Sequence, residues 1–112
     1  MDEVYRHSNR LVFTAGVKHI ADTAGAYWLI DLVASYQHMP KVRAEEFQLW
    51  ELKVNPDNSA VASMTDGNDG TKPIIEQKIP FTDYAKAGES ECKLYCVLTP
   101  GQPATLMQPC EY

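Results

Sequence analysis

The stretch Gly25-Ala26-Tyr27-Trp28-Leu29-Ile30-Asp31-Leu32-Val33-Ala34-Ser35-Tyr36-Gln37 decides how this chain folds. Set on a helix at about 100° per residue, Ala26, Trp28, Leu29, Ile30, Leu32, Val33 and Tyr36 cover well over half of the circumference. Only a narrow strip, made by Tyr27, Asp31, Ser35 and His38, is left for polar contacts. A helix this apolar must be covered on most sides. It is therefore expected to be the central helix of the domain, with Trp28, Leu29, Leu32 and Val33 in the core.

Upstream, residues 1 to 13 read as an entry segment that packs its apolar end, Leu11, Val12 and Phe13. Thr14 is the expected N-cap of a first helix, because its hydroxyl can accept from a free backbone N–H of the first turn. Val17, Ile20, Ala21 and Ala24 then fall on one face at helical spacing, opposite Lys18, His19 and Asp22. Gly25 can take the left-handed conformation that ends a helix, so two helices follow one another tightly and cross at a steep angle.

Downstream, Pro40 and the charged segment from Lys41 to Glu46 close the helical half, and from Phe47 the period changes to two. Phe47 to Val54, Ser59 to Thr65, Pro73 to Phe81, Cys92 to Thr99 and a short Ala104 to Gln108 read as strands. They are separated by Asn55-Pro56-Asp57-Asn58, by Asp66-Gly67-Asn68-Asp69-Gly70, by a connection through Gly88 and by Pro100-Gly101-Gln102-Pro103. The expected fold is α+β, a single domain over residues 1–112. Two N-terminal helices, about 14–24 and 26–38, pack on one face of a mostly antiparallel sheet of four to five strands.

The chain has 112 residues, 45% of them apolar, with two Trp, six Tyr and three Phe, enough for one ordered core without staples. Its net charge of −5 is dispersed along the chain, with no cluster of Lys and Arg that would track a nucleic-acid backbone. No apolar run approaches the ~20 residues that span a bilayer. The acidic, polar start Met-Asp-Glu-Val-Tyr-Arg-His is not a signal peptide, and there is no glycosylation sequon, so a cytoplasmic location is expected. Three cysteines, Cys92, Cys96 and Cys110, do not make a secreted disulfide framework.

Several segments together resemble a family of small bacterial proteins of unknown function, often encountered near phage, plasmid or other mobile DNA. They are Gly25-Ala26-Tyr27-Trp28-Leu29-Ile30-Asp31 with Ala34-Ser35-Tyr36-Gln37, then Phe47-Gln48-Leu49-Trp50 and Asp66-Gly67-Asn68. Tyr5-Arg6-His7 fits as well, although the chain starts closer to it than the pattern leads one to expect. The ending Leu106-Met107-Gln108-Pro109-Cys110-Glu111-Tyr112 is similar to that family's finish, with Cys110 where Ser is expected. The resemblance implies no reaction, cofactor or catalytic residue.

Chemical constellations are sparse. Cys92 and Cys96 lie in a strand-like run, where they point the same way about 13 Å apart, too far for a disulfide or a shared metal. A calcium loop starting at Asp66 would need an oxygen ligand and a Glu where the chain has Gly70 and Gln77. His7 and His19 are single histidines without partners at ligand spacing. No cofactor and no metal are expected. The polar strip Tyr27, Asp31, Ser35 and His38 spans only about 80° of the helix, and an Asp and a His meeting in a cleft can do acid–base work. The competing reading is the wet edge of a buried helix, with His38 favoured near its C-terminal end by the macrodipole.

Two functions of different class follow. The first is a small interaction or regulatory protein, an accessory factor of a mobile element, that binds a protein partner or itself as a homodimer. The second is a small ligand-binding domain or enzyme built on the polar strip and Tyr5-Arg6-His7. The absence of a nucleophile elbow, a phosphate loop or a paired metal motif favours the first. Its surface follows from alternation: if Trp50, Leu52 and Val54 meet the helices, Phe47 and Leu49 face away, and Tyr95 and Val97 offer a matching parity. Phe47, Leu49, Tyr95 and Val97 are thus the candidate interaction face. A strand bulge or the N-terminal segment covering that face is the alternative.

Overall fold

A computed structural model of the chain describes residues 4–68, 70, 72–82 and 91–112. The connection through Gly88, and Asp69 of the turn between the second and third expected strands, lie outside the described residues. Two short strands, β1 (Val4–Arg6) and β2 (Leu11–Thr14), open the chain. Three helices follow: α1 (Ala15–Ala24), α2 (Tyr27–Tyr36) and α3 (Pro40–Arg43). Strands β3 (Phe47–Val54), β4 (Ala60–Thr65), β5 (Ile75–Ile79), β6 (Glu91–Val97) and β7 (Ala104–Met107) come next, and a 3-10 turn (Pro109–Glu111) ends the chain.

The fold is α+β, as expected, but the sheet is larger and mixed. Seven strands lie in the order β1-β2-β7-β6-β3-β4-β5, and β2 runs parallel to β7. The expectation of four to five strands missed the N-terminal pair. Leu11, Val12 and Phe13 are too few to display a period, and β2 exists because it finds β7 at the far end of the chain. Leu11 stands opposite Ala104 and Phe13 opposite Leu106, a match that no local pattern encodes. Pro40 and the segment to Glu46 close the helical half through one further short helix, before β3 begins at Phe47. Pro40 sits in the first turn of α3, where its missing N–H has no intrahelical partner to lose.

Helix α1 has the expected caps. The Thr14 hydroxyl accepts from the Val17 N–H at 3.3 Å, and Gly25 takes φ 63°, ψ 37°. In α2, Leu29, Ile30, Leu32 and Val33 are buried. Trp28, expected in the core, is only half-buried and packs at its margin, because it lies toward the polar strip. No helix among the described residues is long and apolar enough to cross a membrane.

The helices lie on one face of the sheet. Gln48, Trp50, Leu52 and Val54 of β3 are buried on that side, with Cys92, Leu94 and Cys96 of β6 and Ala60, Ala62 and Met64 of β4. They share one core with Val17, Ala21, Leu29, Ile30 and Val33 of the helices. The rings of Tyr36 and Trp50 meet at 5.8 Å, and the Tyr36 hydroxyl donates to Gln77 of β5 at 2.7 Å. A buried amide pair joins α2 to β3: Gln37 Nε2 donates to Gln48 Oε1 at 2.9 Å, which also accepts the Trp50 indole N–H at 2.9 Å. Gln48 Nε2 in turn donates to Gln37 Oε1 and to the carbonyl of Val42, so α3 is pinned by the same side chain. Polar groups buried in this way hold geometry because each has a partner.

Candidate functional site

Alternation in β3 and its register with β6 build the second face of the sheet. Phe47 stands opposite Val97, Leu49 opposite Tyr95, Glu51 opposite Lys93 and Lys53 opposite Glu91. Residues that oppose each other in an antiparallel ladder project to the same side, here the side away from the helices. The four residues expected to form an interaction face therefore do converge, as two adjacent cross-strand pairs. Thr65 of β4 and Met107 of β7 extend the Leu49–Tyr95 row on either side.

The chain end folds back onto this face. Tyr112 packs edge-on against Phe47 at 5.4 Å and against Tyr95 at 5.5 Å, and Phe47 and Tyr95 meet at 4.8 Å. Gly67 lies against the other side of Phe47, where an added Cβ would stand 2.8 Å from the ring. Phe47, Leu49, Tyr95 and Val97 are accordingly half-buried, while Tyr112 is 75% exposed and presents its ring to solvent. Among the described residues, neither a bulge nor the N-terminal strands provide this partial cover. The C-terminal residue does, and the sequence alone carried no signal for it.

The polar strip of α2 is exposed but divided. The Tyr27 hydroxyl donates to Asp22, which also accepts from Lys18 Nζ at 2.8 Å. Those bonds hold the Asp22 carboxyl below its ordinary range, and raise both Lys18 and Tyr27, chiefly through the bond each makes to Asp22. Lys18 also lies 5.5 Å from the centre of the Tyr5 ring. The Ser35 hydroxyl turns back to the carbonyl of Leu32 at 2.7 Å. His38 is exposed just past the helix end. The acid–base pairing of Asp31 with His38 is therefore not what the fold assembles. Asp31 meets His7 instead, Nε2 to Oδ1 at 2.7 Å, across the gap between the end of β1 and α2. Of the segment Tyr5-Arg6-His7, His7 bonds to the strip, while Tyr5 stacks on Phe13 at 5.7 Å on the helix side of the sheet.

A cleft of about 520 Å³ opens elsewhere, between the second half of α1, the start of β6 and the 3-10 turn. It is lined by His19, Ile20, Thr23, Cys92, Lys93, Cys110 and their neighbours, and by none of the strip residues. Its lining comes from three separated segments, so no spacing in the sequence points to it. Among the described residues no group of three or more His, Cys, Asp or Glu is placed to hold a metal ion.

A comparison with curated proteins returned no match, and neither did a comparison with solved structures. The matching family model spans residues 1–112 and is described as a family of unknown function. The chain belongs to that family, DUF6876.

Proposed function

We propose that this protein works by binding another protein through the face of the sheet that, among the described residues, carries no helix. The observation that carries the reading is the registered cluster Phe47–Val97 and Leu49–Tyr95, topped by the exposed ring of Tyr112. Aromatic and aliphatic side chains grouped on one open face are the usual content of the buried centre of an interface, where aromatics anchor binding. Charged pairs, Glu51–Lys93 and Lys53–Glu91, border the cluster along the same two strands, as polar residues border interface centres. The resemblance to proteins met near mobile DNA suits an accessory or regulatory factor of such an element, acting by contact rather than by chemistry.

Replacement of Leu49 by Glu tests the reading, because it buries a charge at the centre of the patch on binding while leaving the helix-side core untouched. Tagged wild-type protein should retain its partner from an extract of its own host, and folded Leu49→Glu should lose it at least tenfold. Equal recovery by the two proteins, with matching far-UV circular dichroism, contradicts the proposal.

One observation supports a second reading, a ligand-binding domain or enzyme. The His7–Asp31 pair joins an imidazole to a carboxylate at 2.7 Å on the exposed edge of the strip, the orientation used to hold a general base. Asp31→Asn separates the two readings. It should leave partner recovery unchanged under the first and abolish it, or any turnover, under the second.

A further inference from the structure

From the pattern of charge beside the apolar patch we infer that the partner is a second copy of this chain, packed face to face about a two-fold axis parallel to β3 and β6. The inference rests on the proposed docking role of this face and names its occupant. A two-fold interface requires a surface complementary to itself, and few patches are. On the face away from the helices, β3 carries Glu51 then Lys53, and β6 carries Glu91 then Lys93. Because the strands are antiparallel, Glu51 stands beside Lys93 and Lys53 beside Glu91. Lys93 Nζ lies 3.8 Å from Glu91 Oε1, which places both on one side of the strand.

A two-fold axis lying in the interface midway between β3 and β6 sets β3 of one copy over β6 of the other. Each residue then covers the residue it is registered with inside its own sheet. Glu51 lies over Lys93 of the second copy, Lys53 over Glu91, Leu49 over Tyr95 and Phe47 over Val97, and each contact occurs twice. Both apolar pairs meet apolar pairs, with the Tyr112 ring that tops each patch packed between the sheets, and all four charges meet opposite charges. An axis along β3 itself would instead set Glu51 over Glu51 and Lys53 over Lys53. Stacked sheets are rotated by about 30°, so this correspondence holds near the axis and lapses toward the sheet edges, and β3 and β6 are the strands nearest to it.

The composition of the face points the same way. The chain as a whole carries −5, which would draw a basic partner, yet on β3 to β6 this face sets Glu51, Glu76 and Glu91 against Lys53, Lys78 and Lys93, with Arg6 of β1 at its far edge. A face of mixed signs, without the acidic excess of the whole chain, selects no strongly charged partner. Its alternating signs select a surface with the same alternation, and they set its register.

The test uses three variants of the full chain. The first is reversed on β3 (Glu51→Lys with Lys53→Glu), the second on β6 (Glu91→Lys with Lys93→Glu), and the third carries all four changes. Wild type should sediment at twice the mass of one chain. The β3-reversed and β6-reversed proteins should each self-associate at least tenfold more weakly, and a one-to-one mixture of the two should recover a mixed dimer. Each of those sets like charges side by side within its own sheet, so circular dichroism checks that it folds. The four-change protein keeps its internal pairs intact and settles the matter if they do not. It should dimerise as wild type does and yet fail to exchange subunits with wild type by native mass spectrometry. Wild type at the mass of a single chain at high micromolar concentration overturns the second copy, and leaves the docking face to be judged by Leu49→Glu alone. A wild-type dimer that exchanges freely with the four-change protein overturns it too, because the contact then lies elsewhere.

Discussion

Gln48 has the most demanding position of any polar side chain in the core. It accepts from Gln37 and from the Trp50 indole, and donates to Gln37 and to the Val42 carbonyl, all away from water. Gln48→Leu keeps the volume roughly constant but takes the partner from Gln37 Oε1 and from the indole N–H, while Gln37 Nε2 keeps the Val33 carbonyl and the Val42 carbonyl keeps the Glu45 N–H. Urea unfolding followed by tryptophan fluorescence should show a loss of about 2–4 kcal/mol, and a loss below about 1 kcal/mol would mean the network contributes little. A strand position facing the core is normally apolar, and alternation puts Gln48 on the same face as Trp50 without revealing its role. The role depends on Gln37, which arrives from the end of a helix. The thiols make a second prediction at this scale. Burial pushes Cys96 from 9.0 up to about 12, so it stays neutral in the fold and ionises in the unfolded chain from about pH 9. The unfolded state then holds fewer protons than the folded one, and stability must fall as pH rises from 9 toward 12 while being unaffected below. Unfolding titrations at pH 7 and pH 10 should show a larger loss for wild type than for Cys96→Ala. A thiol reagent at pH 8 should label exposed Cys110 first and reach Cys96 only on unfolding, with three reduced thiols and no zinc in the mass of the unreduced protein.

At the scale of elements, helix α1 has no acidic residue in its first turn, and the end of the chain supplies one. Glu111 Oε1 accepts from the Thr14 hydroxyl at 2.7 Å and from the Gln108 N–H at 2.9 Å, beside the positive end of the helix. Gly16 makes room for it: a Cβ there would stand 2.6 Å from that oxygen and 2.9 Å from Gln108 Oε1. Gly16→Ala should therefore destabilise the protein, although Ala exceeds Gly by about 1 kcal/mol in an unobstructed helix. With Glu111→Ala already present, the same change should become neutral or stabilising. Additive effects in this double-mutant cycle, read from urea midpoints, would show that the carboxylate and Gly16 do not compete. The caps of α1 and the strands from Phe47 onward were legible because each is written within a few neighbouring residues. Strands β1 and β2 were not, since β2 is held by β7, and neither was the docking of Glu111, since its partners lie at the other end of the chain.

At the scale of the whole molecule, three helices fill one side of the sheet, and among the described residues no helix lies on the other. Parity along β3 was enough to foresee that Phe47 and Leu49 point away from the helices. Which residues of β6 stand beside them needed the register, and that Tyr112 joins them needed the path of the chain end. The polar strip of α2 was legible as an exposed edge but not in its pairing, because His7 reaches Asp31 from a strand that carries no periodic signal. The His7–Asp31 contact is exposed, and Asp31→Asn should change stability by less than about 1 kcal/mol in thermal melts. The open face is a different matter, since the proposed role requires its side chains to be covered by a second chain. Sedimentation velocity of wild type and Leu49→Glu, over the same range of micromolar concentrations, tests that claim most directly. Wild type should shift to twice the mass of one chain as concentration rises, while folded Leu49→Glu should stay at the mass of one chain throughout. Identical sedimentation of the two proteins, at either mass, would contradict the claim.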